Sequence, residues 1–357
     1  MKKLNLAIIG QGRSGRNIHG LHYLSENNKY FNVAYVVEED EARRTRAAGE
    51  YVGATVLEDY RQLFDKNDID LVVNASYSDM HFETTRNLLQ QGFNVMVEKP
   101  MARSRYECDT LIKTAKDNGV GFFVFQQAFY SDFYLNARNI IKRGVLGDIK
   151  QIDITYSGFS RRWDWQTLQK RVAGGLYNTG PHPVGLALGF LDFDENIRVA
   201  FSSLNRALTF GDGDDCAKVI LTAPGKPFVD VEVNSNDAYP AATLKILGSR
   251  GTLRSTLGEY ELTYITDGEN PDRPVVETFL QNEQGDPVFC SEQLIKHTES
   301  GSFDPGAVFT IATAKLYEEV YYALTEGRTP SVTAEMGARV IEVIDRVHTE
   351  NPLDVKF

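Results

Sequence analysis

Gly10-Gln11-Gly12-Arg13-Ser14-Gly15 is a G-x-G-x-x-G run set directly behind the apolar stretch at 4–9 and ahead of a helical pattern. No other feature narrows the fold of this chain as much. The glycines permit a tight turn, close approach of backbone to a diphosphate, and close packing of helix on strand. A helix opening at such a loop offers free N–H groups to phosphate oxygens. Short apolar runs recur at 32–37, 71–75, 94–98 and 121–125, with helical patterns between them. That alternation predicts right-handed crossovers and a doubly wound parallel sheet. Ligands of such a sheet bind beyond the carboxyl ends of its strands. The loops after Ile9, Val37, Ala75 and Glu98 are therefore where a site is expected.

Past residue 126 the pattern turns to long alternating runs at 149–159, 197–204, 217–233 and 242–265, with hairpin signals at Pro224-Gly225 and Arg250-Gly251. These predict a large, mostly antiparallel open sheet. Helical stretches near 307–326 and 333–348 close the chain. The expected architecture is α/β: a Rossmann domain over 1–125, and a second α/β domain over 126–357. The last helix is expected to pack back on the first domain. A length of 357 residues suits two domains.

Composition excludes several classes. With 42% hydrophobic and 24% charged residues the chain reads as globular and soluble. A net charge of −11 argues against a nucleic-acid partner, which would need a basic face. Cys108, Cys216 and Cys290 lie far apart, without metal-ligand spacing, which fits a reducing compartment better than a disulfide framework and calls for no metal. The opening MKKLNLAIIG has the lysines of a signal peptide, but its apolar run is short and leads straight into the glycine loop. It reads as the first strand. No apolar run reaches the length of a membrane span, so no membrane partner and a cytoplasmic location are expected.

The second apolar run ends in Glu38, 23 residues after Gly15, near the position where an acid receives ribose hydroxyls. A carboxylate there accepts from the 2′-OH and repels a 2′-phosphate, so NAD is the expected cofactor. Asp40 reads as the cap of the following helix. Arg43 and Arg44 keep NADP open as the alternative.

At 95–102 the chain reads VMVEKPMA. A strand ending in Glu98-Lys99-Pro100 resembles the signature of the Gfo/Idh/MocA oxidoreductases. The likeness continues through the glycine loop, NASYSDMHFE at 74–83, GVLGDI at 144–149, the segment GGLYNTGPHPVG at 174–185 and PSVTAEMGARVIEVID at 330–345. The resemblance implies a dinucleotide domain followed by a domain whose open sheet makes a homodimer or homotetramer. It implies cofactor contacts from Gly10, Gly12, Arg13, Ser14, Gly15, Glu38, Ala75, Ser76, Tyr77, His81, Glu98, Lys99 and Gln127. By the same likeness Lys99 touches both nicotinamide ribose and substrate, and the Lys99–Pro100 bond is cis.

Much of the family carries G-G-G-x-x-x-D-x-G-x-H-x-x-D in its second domain. Here His182 stands, but Asn178 replaces the first aspartate and Gly185 the last. Oxidising an alcohol requires its proton to leave, and a histidine titrating near neutrality suits that task. Lys99 as an ammonium would stabilise the developing alkoxide. Asn178 can orient the histidine or hold a substrate hydroxyl but brings no charge. Lys99, His182 and Asn178 are thus the expected catalytic residues.

Both tryptophans lie in SRRWDWQTLQKR, a locally basic stretch. Trp163 and Arg162 are taken as substrate contacts, a ring for sugar C–H faces and a fork for hydroxyls or carboxylates, with core packing as the plain alternative for either tryptophan. Gln127 and Tyr156 complete the expected pocket, together with Lys99, Asn178 and His182. Three functions fit: an NAD-dependent dehydrogenase of a sugar, polyol or glycoside, a sugar-binding regulator that has lost turnover, and an enzyme cleaving glycosides through transient oxidation.

Overall fold

The computed structural model describes residues 2–357, Val308 by its backbone alone. Six strands form a wholly parallel sheet: β1 (Leu4–Ile9), β2 (Phe31–Val37), β3 (Thr55–Leu57), β4 (Leu71–Asn74), β5 (Val95–Val97) and β6 (Phe122–Val124), in the order β3-β2-β1-β4-β5-β6. β4 and β5 are buried along their whole length and β1 over its last four residues, so these runs carry no polar alternation. In this sheet only β3 lacks a counterpart in the sequence reading. It is a three-residue edge strand, partly exposed, and its length leaves no periodicity to read. Asp40 caps the helix Glu41–Glu50 by accepting the Arg43 N–H at 2.8 Å.

The second sheet contains β7 (Ile149–Ser157), β8 (Arg198–Asn205), β9 (Cys216–Thr222), β10 (Phe228–Asn234), β11 (Leu244–Gly248), β12 (Gly251–Ser255) and β13 (Glu259–Tyr264). A small hairpin of β14 (Leu280–Gln281) and β15 (Pro287–Val288) precedes its last strand, β16 (His297–Ser302). The order is β16-β13-β12-β11-β7-β10-β9-β8, antiparallel except where β7 lies beside β10. One face carries Ile152, Ile154, Val219, Leu221, Val229, Val231 and Ile246, all buried. The helix Pro181–Phe190 packs on this face and is apolar on nearly every side, as expected of a helix enclosed by protein. The other face is partly open and polar, with Lys218 on β9 paired to Asp230 (3.0 Å) and Glu232 (2.8 Å) of β10. Between β13 and β16 the chain makes a long excursion in which Val275 and Phe289 are 96% and 97% exposed.

Both C-terminal helices reach back to the first sheet. The helix Ala334–Glu350 packs on β6 and on the helix Arg105–Asp117, where Arg105 meets Glu342 at 2.6 Å. The helix Ile311–Glu326 places Tyr317 in an aromatic cluster with His22, Tyr23, Phe31 and Phe125. His22 stacks on Tyr317 at 4.9 Å, and neither of its ring nitrogens has a partner among the described residues. Burial, helped by His19, pushes its pKa from 6.5 down to about 4. The unfolded chain therefore takes up the proton first as the pH falls. Stability is present above pH 6.5 and is lost through the window down to 4, at up to about 1.4 kcal/mol per pH unit. His22→Phe is expected to flatten the acid limb of a Tm-against-pH curve over that range. An unchanged slope would assign the acid sensitivity to other groups.

Candidate active site

The carboxyl ends of β1, β2, β4 and β5 open on one cleft of about 460 Å³, which the second domain closes with Tyr156, Arg162, Asn178 and His182. Its floor is the glycine loop. Gly10 has φ +89°, and a Cβ there would meet the Ala75 carbonyl oxygen at 2.4 Å. A Cβ on Gly15 would lie 1.9 Å from the Gly10 oxygen, so the helix can start this close to the strand only without a side chain. Gly12 differs: a Cβ there meets nothing within 4 Å, and the residue lines the cleft. The loop is a cradle left open on the side facing the cavity. Glu38 ties it to β2, accepting the Gln11 N–H at 2.6 Å and the Asp40 N–H at 3.0 Å. Arg43 stands 3.8 Å from the same carboxylate. An open cradle with a carboxylate at the second strand end fits a dinucleotide.

Lys99 follows β5, and its peptide bond to Pro100 is cis. Its Nζ donates to the main-chain oxygen of Asn178 at 2.8 Å, a direct link between the two domains across the cleft. Burial lowers the Lys99 pKa from its ordinary value, and Arg13 and Arg162 add to the drop while Glu98 opposes it. His182 is the second residue of the helix Pro181–Phe190, whose Pro181 sits where a missing N–H costs nothing. Its main-chain N–H donates to Thr179 at 3.2 Å, and Nδ1 has no partner among the described residues.

Two expectations change here. Histidine was expected to titrate near neutrality, but burial, and then the Lys99 cation, push His182 down to about 3. The imidazole is neutral across the working range. The Asn178 amide was expected to orient the histidine or hold a substrate hydroxyl, and its Oδ1 instead accepts from Gln166 Nε2 at 2.9 Å. Gln166 Oε1 in turn accepts from Arg162, which also holds Asp164 at 2.8 Å. Asn178 thus fastens the Arg162–Gln166 loop to the glycine-rich segment. At Gly185, where the resemblance calls for an aspartate, a Cβ would come within 2.8 Å of Gln126 Oε1, so a side chain there requires the Gln126 amide to move.

Of the other expected residues, Arg13, Ser14, Ala75, Ser76, Tyr77 and Gln127 line the cleft, as does Tyr156, whose phenol pKa burial raises. His81 lines it too, yet its ring spans the carbonyls of Pro100 (2.7 Å) and Ser76 (3.2 Å) and so braces two loops. Glu98 lines the cleft as well, and its carboxylate meets His19 at 3.1 Å. Trp163 is a correction: it is 78% exposed and lies outside the lining. Trp165 takes the place expected of it, edge-on to Tyr77 with ring centroids 5.0 Å apart. The chain turns into a short 3-10 helix at Trp165–Thr167, which sends the two rings different ways, and the sequence shows no sign of which tryptophan turns inward. Sequence reading also missed Asp214, which accepts the Leu176 N–H at 2.7 Å and anchors the short helix Gly175–Asn178. Its only signal was the acidic loop GDGDD at 211–215.

A family profile described as oxidoreductase family, NAD-binding Rossmann fold, matches residues 4–126, and one described as GFO/IDH/MocA C-terminal domain matches 134–254. The chain is 25% identical over 189 residues to a scyllo-inositol 2-dehydrogenase (NADP(+)) of Bacillus subtilis, covering 52% of this chain and 51% of that one. It is 22% identical over 272 residues to a 2,7-anhydro-N-acetylneuraminate hydratase of Mediterraneibacter gnavus, covering 75% and 71%. Among solved structures it is similar to GenD2 from gentamicin A biosynthesis in complex with NAD, with a TM-score of 0.76, 19% identity, and coverage of 100% and 97%.

Proposed function

The chain belongs to the GFO/IDH/MocA oxidoreductase family and binds NAD or NADP, and on that premise we propose that it moves a hydride between NAD and a secondary alcohol of a sugar, polyol or glycoside. One observation carries this reading: Lys99 and His182, from different domains, face the same cleft as the open glycine cradle. The dinucleotide, when bound, accepts or gives the hydride. The protein's own residues handle the proton and the charge. Neutral His182 accepts a hydrogen bond or proton from the alcohol, and the Lys99 ammonium donates to the oxygen as negative charge grows on it. Residues 1–125 hold the dinucleotide, and 126–357 supply the substrate side, with Arg162, Gln127, Tyr156 and Trp165 about the sugar.

Copies of the chain pair as a homodimer or homotetramer through the second sheet. Its uncovered face and the exposed Val275 and Phe289 support this. The three unpaired cysteines suit a reducing cytoplasm. Among the described residues no helix is long and apolar enough to cross a membrane.

A second reading, transient oxidation without net redox, is favoured by the relative named as a hydratase, since hydration changes no oxidation state. A panel of sugars and polyols with NAD separates the two. Steady growth of reduced-nicotinamide absorbance is the expected result. Converted sugar without that absorbance would select transient oxidation, and binding without conversion would leave a regulator.

The cofactor choice has its own test. Glu38→Ala removes the ribose acceptor and releases Arg43, so the preference for NADH over NADPH, read as a ratio of dissociation constants by fluorescence, should fall about tenfold. A wild type that binds both equally would overturn the assignment of Glu38.

A further inference from the structure

Behind the cleft a buried relay joins three distant parts of the chain. The first helix begins as a π-helix over Gly15–Gly20, a form that takes one extra residue into the turn and recurs at functional sites. His19 lies on its buried side and is wholly shielded from solvent. Its Nε2 meets Glu98 Oε1 at 3.1 Å, and its Nδ1 meets the Tyr317 hydroxyl at 2.7 Å. The other Glu98 oxygen accepts the main-chain N–H of Lys99 at 2.9 Å.

The directions of these bonds follow from chemistry. Burial keeps the Tyr317 phenol protonated, so its O–H donates to Nδ1 and Nε2–H donates to the carboxylate. Burial alone would raise the Glu98 carboxyl, yet the His19 hydrogen bond, with the nearby Lys99 ammonium, brings it down to about 2. A buried carboxylate needs its lone pairs filled, and here one partner orients it while it holds the next residue.

We propose that His19 is a positioning residue for Lys99: backed by Tyr317, it orients the Glu98 carboxylate so that the carboxylate grips the Lys99 main chain and aims the ammonium into the cleft. Neither His19 nor Tyr317 lines the cleft. The helix Ile311–Glu326 thereby sets the geometry of a residue more than 200 positions earlier in the chain. The inference rests on the reading that Lys99 acts at the reacting carbon, and a displacement of about 1 Å there can cost ~100-fold in rate.

The experiment uses the full chain and two substitutions. His19→Leu removes both hydrogen bonds, whereas His19→Gln restores a donor near the Nε2 position. Hydrogen–deuterium exchange, followed by mass spectrometry on peptides spanning 95–103, reads the Lys99 amide without any substrate. In His19→Leu that amide should exchange at least about tenfold faster while β1 and β4 stay as protected as in wild type, and His19→Gln should remain within about threefold of wild type. With a sugar that the panel shows to turn over, kcat of His19→Leu should fall at least tenfold while the NADH dissociation constant moves less than about threefold. An unchanged Lys99 amide in His19→Leu overturns the proposal, as does exchange that rises equally across the sheet. A loosened amide with kcat within about twofold of wild type overturns it too. Because the exchange arm needs no substrate, a failed relay and a failed reading of the reaction give different results.

Discussion

Lys99→Ala should lower kcat about 10³-fold while leaving the fold intact and NADH affinity within about tenfold of wild type. The asymmetry arises because the ammonium stabilises charge that exists fully only in the transition state, so its loss is felt there most. Its one hydrogen bond, to the Asn178 carbonyl, faces the cleft and can be replaced by water. The Glu98 carboxylate keeps His19 and the Lys99 main-chain N–H, neither of which the substitution touches. Stopped-flow turnover alongside a fluorescence titration of NADH checks both halves. A variant with near-normal kcat would remove Lys99 from the chemistry, and one that had lost NADH binding would make its role one of cofactor affinity.

His182→Ala should lose about 10²-fold in the oxidative direction, the usual scale for a positioned proton acceptor. The pH profile distinguishes this role from packing. With the imidazole pushed down to about 3, wild type should show no histidine limb between about pH 5 and 9. Asn178→Asp puts a carboxylate into the same cleft, which favours the protonated ring and should raise the His182 pKa. In that variant protonation then withdraws the acceptor at low pH, so a new limb appears with rate rising as pH increases. The bond from Gln166 to Asn178 Oδ1 can persist, since a carboxylate also accepts it. Profiles of wild type, Asn178→Asp and His182→Ala at saturating NAD are the measurement. A flat acid side in Asn178→Asp would mean the two side chains are uncoupled. A full-rate His182→Ala would make the histidine structural.

Which residues face the cleft divides along a physical line. The glycine loop, Glu38 and the Glu98-Lys99-Pro100 strand end were legible because their positions follow from local rules. Each lies at a strand terminus, and strand termini are marked by apolar runs and breakers within a few residues. Trp163 and Trp165 were not separable, because the loop carrying them has no period and its facing is set by Tyr77, Arg162 and Gln166. The bond from Gln166 to Asn178 was not legible for a related reason. Helical spacing places Asn178 and His182 one turn apart, but a hydrogen bond goes to whatever group lies at the right distance, and that was Gln166 from another segment.

The sequence by itself determined the parallel sheet, the order of its loops and the open second sheet, since periodicity and glycine placement are properties of neighbouring residues, and its Glu98-Lys99-Pro100 and His182 segments carried the resemblance to the family. Only the tertiary structure decided the electrostatics. His182 carries the same side chain in either description, but its neutrality comes from enclosure and from a cation 83 positions away in the chain, Lys99. His19, Glu98 and Tyr317 are separated by 79 and 219 positions, and no local pattern links them. Burial and charge act through space. A linear chain does not show which groups will share a low-dielectric interior until the helix Ile311–Glu326 has closed against the first sheet.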